Sequence, residues 1–430
     1  MAIGLSLLAF LIVIIYGFEY AFLGKTYLVS TTWNKRVKFK VNTQQRFILF
    51  LLATAIVQAG NFSALLLLIW MVFLLGLLFK YGIQMFSSPM LKIYALYLCW
   101  LIFSLVLTTE KGYGIRVFFK FLFPFLVILV VTSIKITDVF FIKALKISFL
   151  AGVFINGCIV LMKIIPIYSI YNPILWWPPA VIDVNPFFIG TGILLYKFSK
   201  KKYVLFAILL FISIPIVESV RTGLIGIGVF FLAVSFFKYK LKALPVFILI
   251  IASFVASVLF VPTVRDKMFR TSFNSAEEVL NMSGKISPDT IDSNGRFAMW
   301  EWSLKVFYKG NELMGAGLGQ MQARFYSGNH PFGVIRIAHN DYLQILCDTG
   351  QIGFVLYLLI IISFVWQAFR IYNNKKNNVS ARYAAFIAGT SLCGIMATAF
   401  TDNVVNYSLI TLSYPYIFFG FALVMKSKRK

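Results

Sequence analysis

Apolar runs of about 15 to 24 residues recur along the whole 430-residue chain and are separated by short charged segments. Each run is long enough to cross the hydrocarbon core of a bilayer as a helix. Helices are predicted because the runs are continuous rather than alternating, and because lipid cannot satisfy free backbone groups. Hydrophobic residues make up 60% of the chain and charged residues 13%, which excludes an ordinary soluble domain. The sequence therefore predicts an all-α polytopic membrane protein.

These runs define up to thirteen predicted crossings. Between residues 47 and 79 the sequence fits either two short helices that turn at Gly60-Asn61-Phe62 or one long irregular element, so about 11–13 crossings are predicted. The first run has neither a basic leader nor a small-residue cleavage site, and we expect a retained helix rather than a signal peptide. The approximate bounds are residues 3–23, 47–60, 63–79, 93–109, 114–134, 144–164, 186–198, 203–218, 222–237, 244–262, 348–369, 383–401 and 406–425.

Basic residues outnumber acidic residues by 40 to 15, which gives a net charge of +25. Outside residues 263–347, most basic residues lie in short loops between the runs, and these loops contain one acid, Asp138. Such an excess of Lys and Arg marks cytoplasmic loops. The charge therefore indicates a lipid bilayer as the partner, rather than a nucleic acid. It also predicts an amino terminus outside and a carboxyl terminus inside.

Residues 263–347 form a long polar segment, here called the polar loop. It contains both histidines, His330 and His339, and eight of the fifteen acidic residues. The charge bias places it on the outer face of the membrane. Three regions are thus predicted: residues 1–262 with about ten crossings, the polar loop, and residues 348–430 with the last three crossings and a basic tail.

Local order is predicted inside the polar loop. Ser293-Asn294-Gly295 is a plausible helix start, and Gly315-Ala316-Gly317-Leu318-Gly319 is typical of a turn or a close backbone approach. Asn340 is the predicted cap of a second helix, which is expected to end at Asp348-Thr349-Gly350. The first helix has a predicted apolar face made by Phe297, Trp300, Leu304 and Phe307.

His339 is the strongest candidate for a catalytic residue. It immediately precedes the predicted cap Asn340, where the positive end of the helix dipole disfavours the imidazolium form. A neutral imidazole can act as a general base for a hydroxyl nucleophile. The alternative is a histidine that merely packs in a loop. His330 has no such context and is expected to lie in a surface loop.

Two arginines are candidate anion ligands. Arg221 lies in a tight turn, Glu218 to Gly223, between two apolar runs. Burying a guanidinium there is costly unless it binds a partner such as a diphosphate, whose oxygens match its fork. The alternatives are snorkelling to the interface and pairing with Glu218. Arg296 starts the first predicted helix of the polar loop, where backbone N–H groups also favour an anion; the alternative is a solvated side chain.

Supporting residues are predicted at the same face. Arg116 and Lys120 are four residues apart, hence on one face of a helix, and either hold an anionic headgroup or snorkel. Trp176, Trp177 and Trp300 are candidates for stacking on sugar rings, although tryptophan is also common at any membrane interface.

Motifs for metal or cofactor chemistry are absent from the sequence. It has no Walker loop, CxxC or HExxH pattern, and no Asp-Asp or Asp-x-Asp motif in the first predicted outer loop. The predicted chemistry therefore needs neither a metal ion nor a cofactor.

Three segments, taken in order, resemble the O-antigen ligase and Wzy-type polysaccharide polymerase family. The first is Glu218-Ser219-Val220-Arg221-Thr222-Gly223. The second is Asn294-Gly295-Arg296-Phe297-Ala298-Met299-Trp300, followed by the glycine-rich loop at 315–319. The third is Ala338-His339-Asn340-Asp341-Tyr342-Leu343-Gln344, ending in Asp348-Thr349-Gly350-Gln351-Ile352-Gly353. A large loop before the last three crossings also matches the family layout. The resemblance covers residues 218 to about 360.

The resemblance implies a bacterial inner-membrane enzyme that moves a glycan from a polyprenyl diphosphate carrier to a sugar hydroxyl on the outer face. Carried over by position, Arg221 and Arg296 are implied to bind the diphosphate and His339 to activate the acceptor. The resulting hypothesis is a metal-independent, inverting polysaccharide polymerase, which could act with a chain-length regulator. The alternatives are a ligase that transfers polymer to a lipid A core, and a transporter of lipid-linked sugars or small anions.

Overall fold

The computed structural model shows a bundle of long apolar helices with a smaller polar cap on one side. We call that side the loop side, because residues 295–347 lie there. The residues that the structure describes are 27–30, 36–39, 42–56, 63–82, 88–164, 178–218, 220–260, 295–333 and 335–426.

A short hairpin precedes the described helices. Its strands, β1 (Tyr27–Ser30) and β2 (Arg36–Phe39), are antiparallel. The helices up to residue 260 are α1 (Thr43–Thr54), α2 (Ser63–Tyr81), α3 (Pro89–Leu107), α4 (Lys111–Thr132), α5 (Asp138–Ile164), α6 (Pro178–Ser199), α7 (Lys202–Val217), α8 (Arg221–Tyr239) and α9 (Leu244–Phe260). Those that follow are α10 (Arg296–Ser303), α11 (Gln320–Tyr326), α12 (Asp341–Asn373), α13 (Val379–Thr398), α14 (Ser408–Thr411) and α15 (Ser413–Met425).

Seven helices within the described ranges are long and apolar enough to cross a membrane. An eighth crossing results if Val405–Thr411 and Ser413–Met425, which are bent by 58°, form one span. The chain is therefore an all-α multi-pass membrane protein, as predicted. Every predicted crossing from residue 47 onward overlaps a helix, but two of these are shorter apolar segments, Leu67–Lys80 and Lys202–Val217. The predicted crossing at 3–23 lies outside the described residues.

Glycines bring α6, α8 and α13 into close contact. A Cβ added to Gly226 on α8 would lie 2.6 Å from Thr398 on α13, and one added to Gly394 on α13 would lie 2.6 Å from the carbonyl oxygen of Gly226. That same Cβ on Gly394 would be 3.0 Å from Pro186 on α6. Membrane helices associate through such small residues because backbones can then approach closely. The loop-side ends of the three helices consequently meet around one point.

The polar cap packs on the bundle through the glycine-rich loop. Gly315, Gly317 and Gly319 all have positive φ, and a Cβ on each would lie within 2.7 Å of backbone atoms of Asp348, Thr108 and Gly114, respectively. The carboxylate of Asp348 accepts hydrogen bonds from the backbone N–H groups of Gly319 and Met321, both at 3.0 Å. The predicted close approach of this loop is therefore confirmed.

The predicted apolar face of the first loop helix needs correction. The fully buried side chains are Met299, Ser303 and Phe307, whereas Trp300 and Leu304 are only partly buried and Phe297 is outside their cluster. The physical reason is packing within the cap, where Met299 and Phe307 join a buried cluster with Met321 and Phe325, so the face through Met299 turns inward.

The second predicted loop helix is part of α12. Asn340 caps it, as predicted, since its Oδ1 accepts a hydrogen bond from the N–H of Leu343 at 2.9 Å. The predicted break at Asp348-Thr349-Gly350 falls at Gly350, whose φ of 66° and ψ of −172° interrupt the helical conformation. The segment before the break therefore belongs to the cap, and the segment after it to the bundle.

Candidate functional site

His339 lies on the loop side, immediately before α12. Its φ of 50° is in the left-handed region, which is uncommon for a residue other than glycine. The residue after His339 is Asn340, which caps α12. The backbone of His339 is therefore constrained, and this constraint fixes the direction of its ring. Its side chain is 22% exposed, which leaves it accessible to a reactant.

One nitrogen of the His339 ring faces two side chains from the turn after α13. Its Nδ1 atom lies 3.5 Å from Oδ1 of Asp402 and 3.3 Å from Nδ2 of the Asn403 amide. A carboxylate only accepts hydrogen bonds, whereas an amide can present either its oxygen or its nitrogen. The Oδ1 atom of Asn403 has no hydrogen-bond partner within the described ranges. As the side chains stand, the two contacts oppose each other, because the Asp402 carboxylate favours a proton on Nδ1 and the amide N–H of Asn403 favours a lone pair there. If the amide of Asn403 is turned over, its oxygen faces Nδ1, both groups favour a proton on Nδ1, and Nε2 is the basic atom.

Asp341 connects the start of α12 to this turn. Its N–H donates to the carbonyl oxygen of Ala399 at 2.9 Å, and its carboxylate accepts from the N–H of Val405 at 2.8 Å. Asp402 is held from within the turn, because its Oδ1 accepts from the N–H of Asn403 at 2.8 Å. The geometry between His339 and Asp402 is therefore set by backbone hydrogen bonds.

Arg296 reaches the same turn from α10. Its Nη1 donates to the carbonyl oxygen of Thr401 at 2.6 Å. Burial lowers the pKa of Arg296, the nearby carboxylate of Asp402 opposes this effect, and the charge of Arg221 adds to it. The guanidinium groups of Arg296 and Arg221 and the carboxylate of Asp402 are thus close enough to interact electrostatically.

Arg221 is the first residue of α8, next to the close contact of α8 with α6 and α13. Packing at Gly223 helps to place it, because a Cβ there would lie 2.1 Å from Ile182 of α6. The structure therefore brings Arg221, Arg296 and His339, which lie far apart in sequence, to the loop-side ends of adjacent helices. This arrangement can bind an anion beside a general base.

Lys120 and Arg116 have different surroundings. Lys120 donates a hydrogen bond to Oδ1 of Asn406 and lines a cavity of about 10 Å³ together with Asp341 and Gln344. A cavity of that size holds about one water molecule. Arg116 is exposed, with its guanidinium 5.4 Å from the ring centre of Tyr113. The structure thus gives Lys120 an internal partner, and only Arg116 extends to the surface.

Trp300 is next to the site. Its Nε1 donates to the carbonyl oxygen of Ala338 at 2.9 Å, the residue before His339. The other two candidate tryptophans, Trp176 and Trp177, lie outside the described residues.

Sequence reasoning missed three residues of the site. Asp402 and Asn403 stand between two apolar runs, and an acid in such a position is a signal for function. Their pairing with His339 was not evident because they lie 63 and 64 positions further along the sequence. Asp183, on α6, is fully buried and interacts electrostatically with Asp402 and Asp341. It was overlooked because it precedes an apolar run without a motif of its own.

His330 was expected to be a surface residue and is instead packed within the cap. Its Nδ1 accepts from the N–H of Phe332 at 3.2 Å, so its Nε2 carries the proton and donates to the carbonyl oxygen of Phe325 at 3.1 Å. The ring lies 4.9 Å from that of Phe325. Both ring nitrogens are thus engaged in structural hydrogen bonds.

Comparison with known proteins gives one family. Residues 205–358 match the family model described as O-Antigen ligase. This segment runs from α7 into α12, so it includes Arg221, Arg296 and His339 but not Asp402. No curated protein matches the chain.

Proposed function

We propose that the chain polymerises oligosaccharide repeat units linked to polyprenyl diphosphate into a surface polysaccharide, and the match of residues 205–358 to the family model described as O-Antigen ligase supports this proposal. The observation that carries the proposal is the grouping of His339 and Asp402 with Arg221 and Arg296. A base beside two guanidinium groups suits the attack of a hydroxyl on a sugar whose leaving group is a diphosphate.

In the proposed reaction, Nε2 of His339 takes the proton of an acceptor sugar hydroxyl. The hydroxyl oxygen forms a bond to the anomeric carbon of the donor glycan, and the bond from that carbon to the diphosphate oxygen breaks with inversion. The electron pair stays on the departing polyprenyl diphosphate. Asp402, facing Nδ1 at 3.5 Å, stabilises the imidazolium that forms.

The two arginines stabilise the charge that grows on the diphosphate. Arg296 is partly buried, and electrostatic stabilisation is stronger where water is excluded. Its hydrogen bond to Thr401 uses one N–H of the guanidinium, and the fork offers further donors to phosphate oxygens. We place the site on the outer face of the bacterial inner membrane.

A second candidate is transfer of finished polymer to a lipid A core, which the description of the matching family model favours. Donor and leaving group are the same in both reactions, so the acceptor distinguishes them. In a deletion strain, a polymerase leaves single repeat units on the carrier. A ligase leaves full-length polymer on the carrier.

The direct test incubates the purified full-length protein with lipid-linked repeat units and separates the products by size. We expect a ladder of longer chains from the wild type, none from His339→Ala or Arg221→Ala, and a normal ladder from the matched control His330→Ala. If the wild type extends no chain but transfers polymer to a lipid A core acceptor, the ligase replaces the polymerase. Transfer to neither acceptor would overturn both candidates.

A further inference from the structure

Two aromatic rings form an open corner beside the site. The ring centres of Trp300 and Phe400 lie 5.7 Å apart, with their planes at 72°. Phe400 is 55% exposed, although Ala399 before it and Asp402 shortly after it are buried. We call Trp300 and Phe400 the aromatic corner. Phe400 thus presents an apolar ring to the outside directly beside the polar groups of the site.

The position of the aromatic corner is set by the site itself. Phe400 lies between Ala399 and Thr401, whose carbonyl oxygens accept from Asp341 at 2.9 Å and from Arg296 at 2.6 Å. On the other side, Trp300 is fixed by its hydrogen bond to Ala338. The corner is thus held between the guanidinium of Arg296 and the backbone next to the His339 ring.

Helix geometry relates the aromatic corner to the diphosphate ligand. Arg296 and Trp300 are four residues apart on α10, so they share one face and are separated by about 6 Å along the axis. A pyranose ring is of comparable length. A sugar whose diphosphate lies at Arg296 therefore reaches Trp300 when it extends toward His339.

We propose that Trp300 and Phe400 form the stacking subsite for the donor sugar that is attached directly to the diphosphate. This inference rests on the proposed function. The apolar C–H face of the sugar packs on the rings, as aromatic faces pack on apolar partners, while its polar edge remains toward the charged groups. The isoprenoid leaves from the opposite end of the diphosphate, because the attacked carbon must face His339. The donor sugar consequently lies on the side of Arg296 that faces His339.

The test compares two ligands on the full-length protein in lipid nanodiscs: polyprenyl diphosphate with one sugar attached, and the same carrier without a sugar. For Phe400→Ala we expect roughly three- to tenfold weaker binding of the sugar-bearing ligand, the range that one aromatic contact supplies. Binding of the sugar-free carrier should not change. Phe400→Tyr, which keeps the ring, should bind both ligands like the wild type.

Tyr326→Ala is the matched control, because Tyr326 is an exposed aromatic residue of the cap, 44% exposed, that packs on Tyr113 instead of Trp300. It should leave both affinities unchanged. Equal weakening of both ligands by Phe400→Ala would assign the ring to the lipid and overturn the inference. No change for either ligand would also overturn it. If the wild type binds neither ligand, the proposed function itself fails, which is a distinguishable result.

Discussion

The Nδ1 atom of His339 lies 3.5 Å from Oδ1 of Asp402, although the two residues are 63 positions apart in sequence. Two antiparallel crossings bring them together: α12 begins just after His339, and α13 returns to the loop side just before Asp402. The hydrogen bond between the N–H of Asp341 and the carbonyl oxygen of Ala399, at 2.9 Å, joins the two ends. The orientation of the proposed base thus depends on a residue outside the matched family segment.

Asp402→Asn is expected to lower the turnover number about a hundredfold, the scale of a lost contribution to general-base catalysis. Asparagine keeps the shape of the side chain but removes the charge that stabilises the imidazolium. Donor affinity should change little. The kinetic constants of the chain-extension assay measure both effects. Glu301→Gln is the control, since Glu301 is an exposed carboxylate paired with Lys305 at 2.6 Å; a normal rate in Asp402→Asn would contradict the role of this carboxylate.

The two histidines should respond to substitution in opposite ways. His339→Ala is expected to lose turnover and retain its melting temperature, because the ring is partly exposed and contacts the site. His330→Ala should retain turnover and unfold at a lower temperature, since it loses two hydrogen bonds and its ring packing, with a cost of about 1–3 kcal/mol. Thermal unfolding and chain extension are measured on the same preparations. A loss of turnover in His330→Ala at a temperature where it is folded, or normal turnover in His339→Ala, would contradict the prediction.

Gly315→Ala is expected to detach the glycine-rich loop from α12. The added Cβ would lie 2.5 Å from backbone atoms of Asp348, at a residue with φ of +79°. Gly310→Ala separates the steric clash from the backbone strain. Gly310 also has a positive φ, +88°, but no atom lies within 4 Å of the added Cβ. Both variants carry the strain of a left-handed alanine, about 1–2 kcal/mol. Only Gly315→Ala adds the clash, so it should melt at the lower temperature. Equal melting temperatures would show that the loop relaxes freely.

Arg296→Lys should weaken binding of polyprenyl diphosphate about tenfold, since one charge-assisted hydrogen bond contributes about 1.5–3 kcal/mol. Lysine keeps the charge but cannot hold the carbonyl oxygen of Thr401 and a phosphate together. Arg324→Lys, an exposed arginine on α11, is the control and should bind normally.

The pH dependence of donor binding by the same Arg296→Lys variant tests whether this side chain is buried. Burial already lowers the pKa of Arg296, and a lysine at that position starts from a lower ordinary pKa. A cation with a lowered pKa loses its charge as the pH rises. The affinity of Arg296→Lys should therefore fall more steeply than that of the wild type between neutral and alkaline pH. Parallel pH profiles would contradict the burial of this side chain.

Local features of the polar loop were predictable because each depends on a few neighbouring residues. The cap at Asn340, the close approach at Gly315–Gly319 and the break at Gly350 follow from the conformational preferences of asparagine and glycine. The buried face of α10 was not predictable in the same way. Met299, Ser303 and Phe307 repeat every four residues, and packing within the cap selected this face instead of the one through Trp300 and Leu304.

The fold class follows from the sequence alone, because hydropathy and backbone hydrogen bonding restrict long apolar runs to membrane helices. The sequence also singled out Arg221, Arg296 and His339 as candidates. Their proximity to Asp402 and Asn403, and the hydrogen bond of Lys120 to Asn406, become visible only once the helices are packed. Those contacts depend on how closely helices approach at Gly226 and Gly394, and packing between distant segments leaves no periodic signal in the chain.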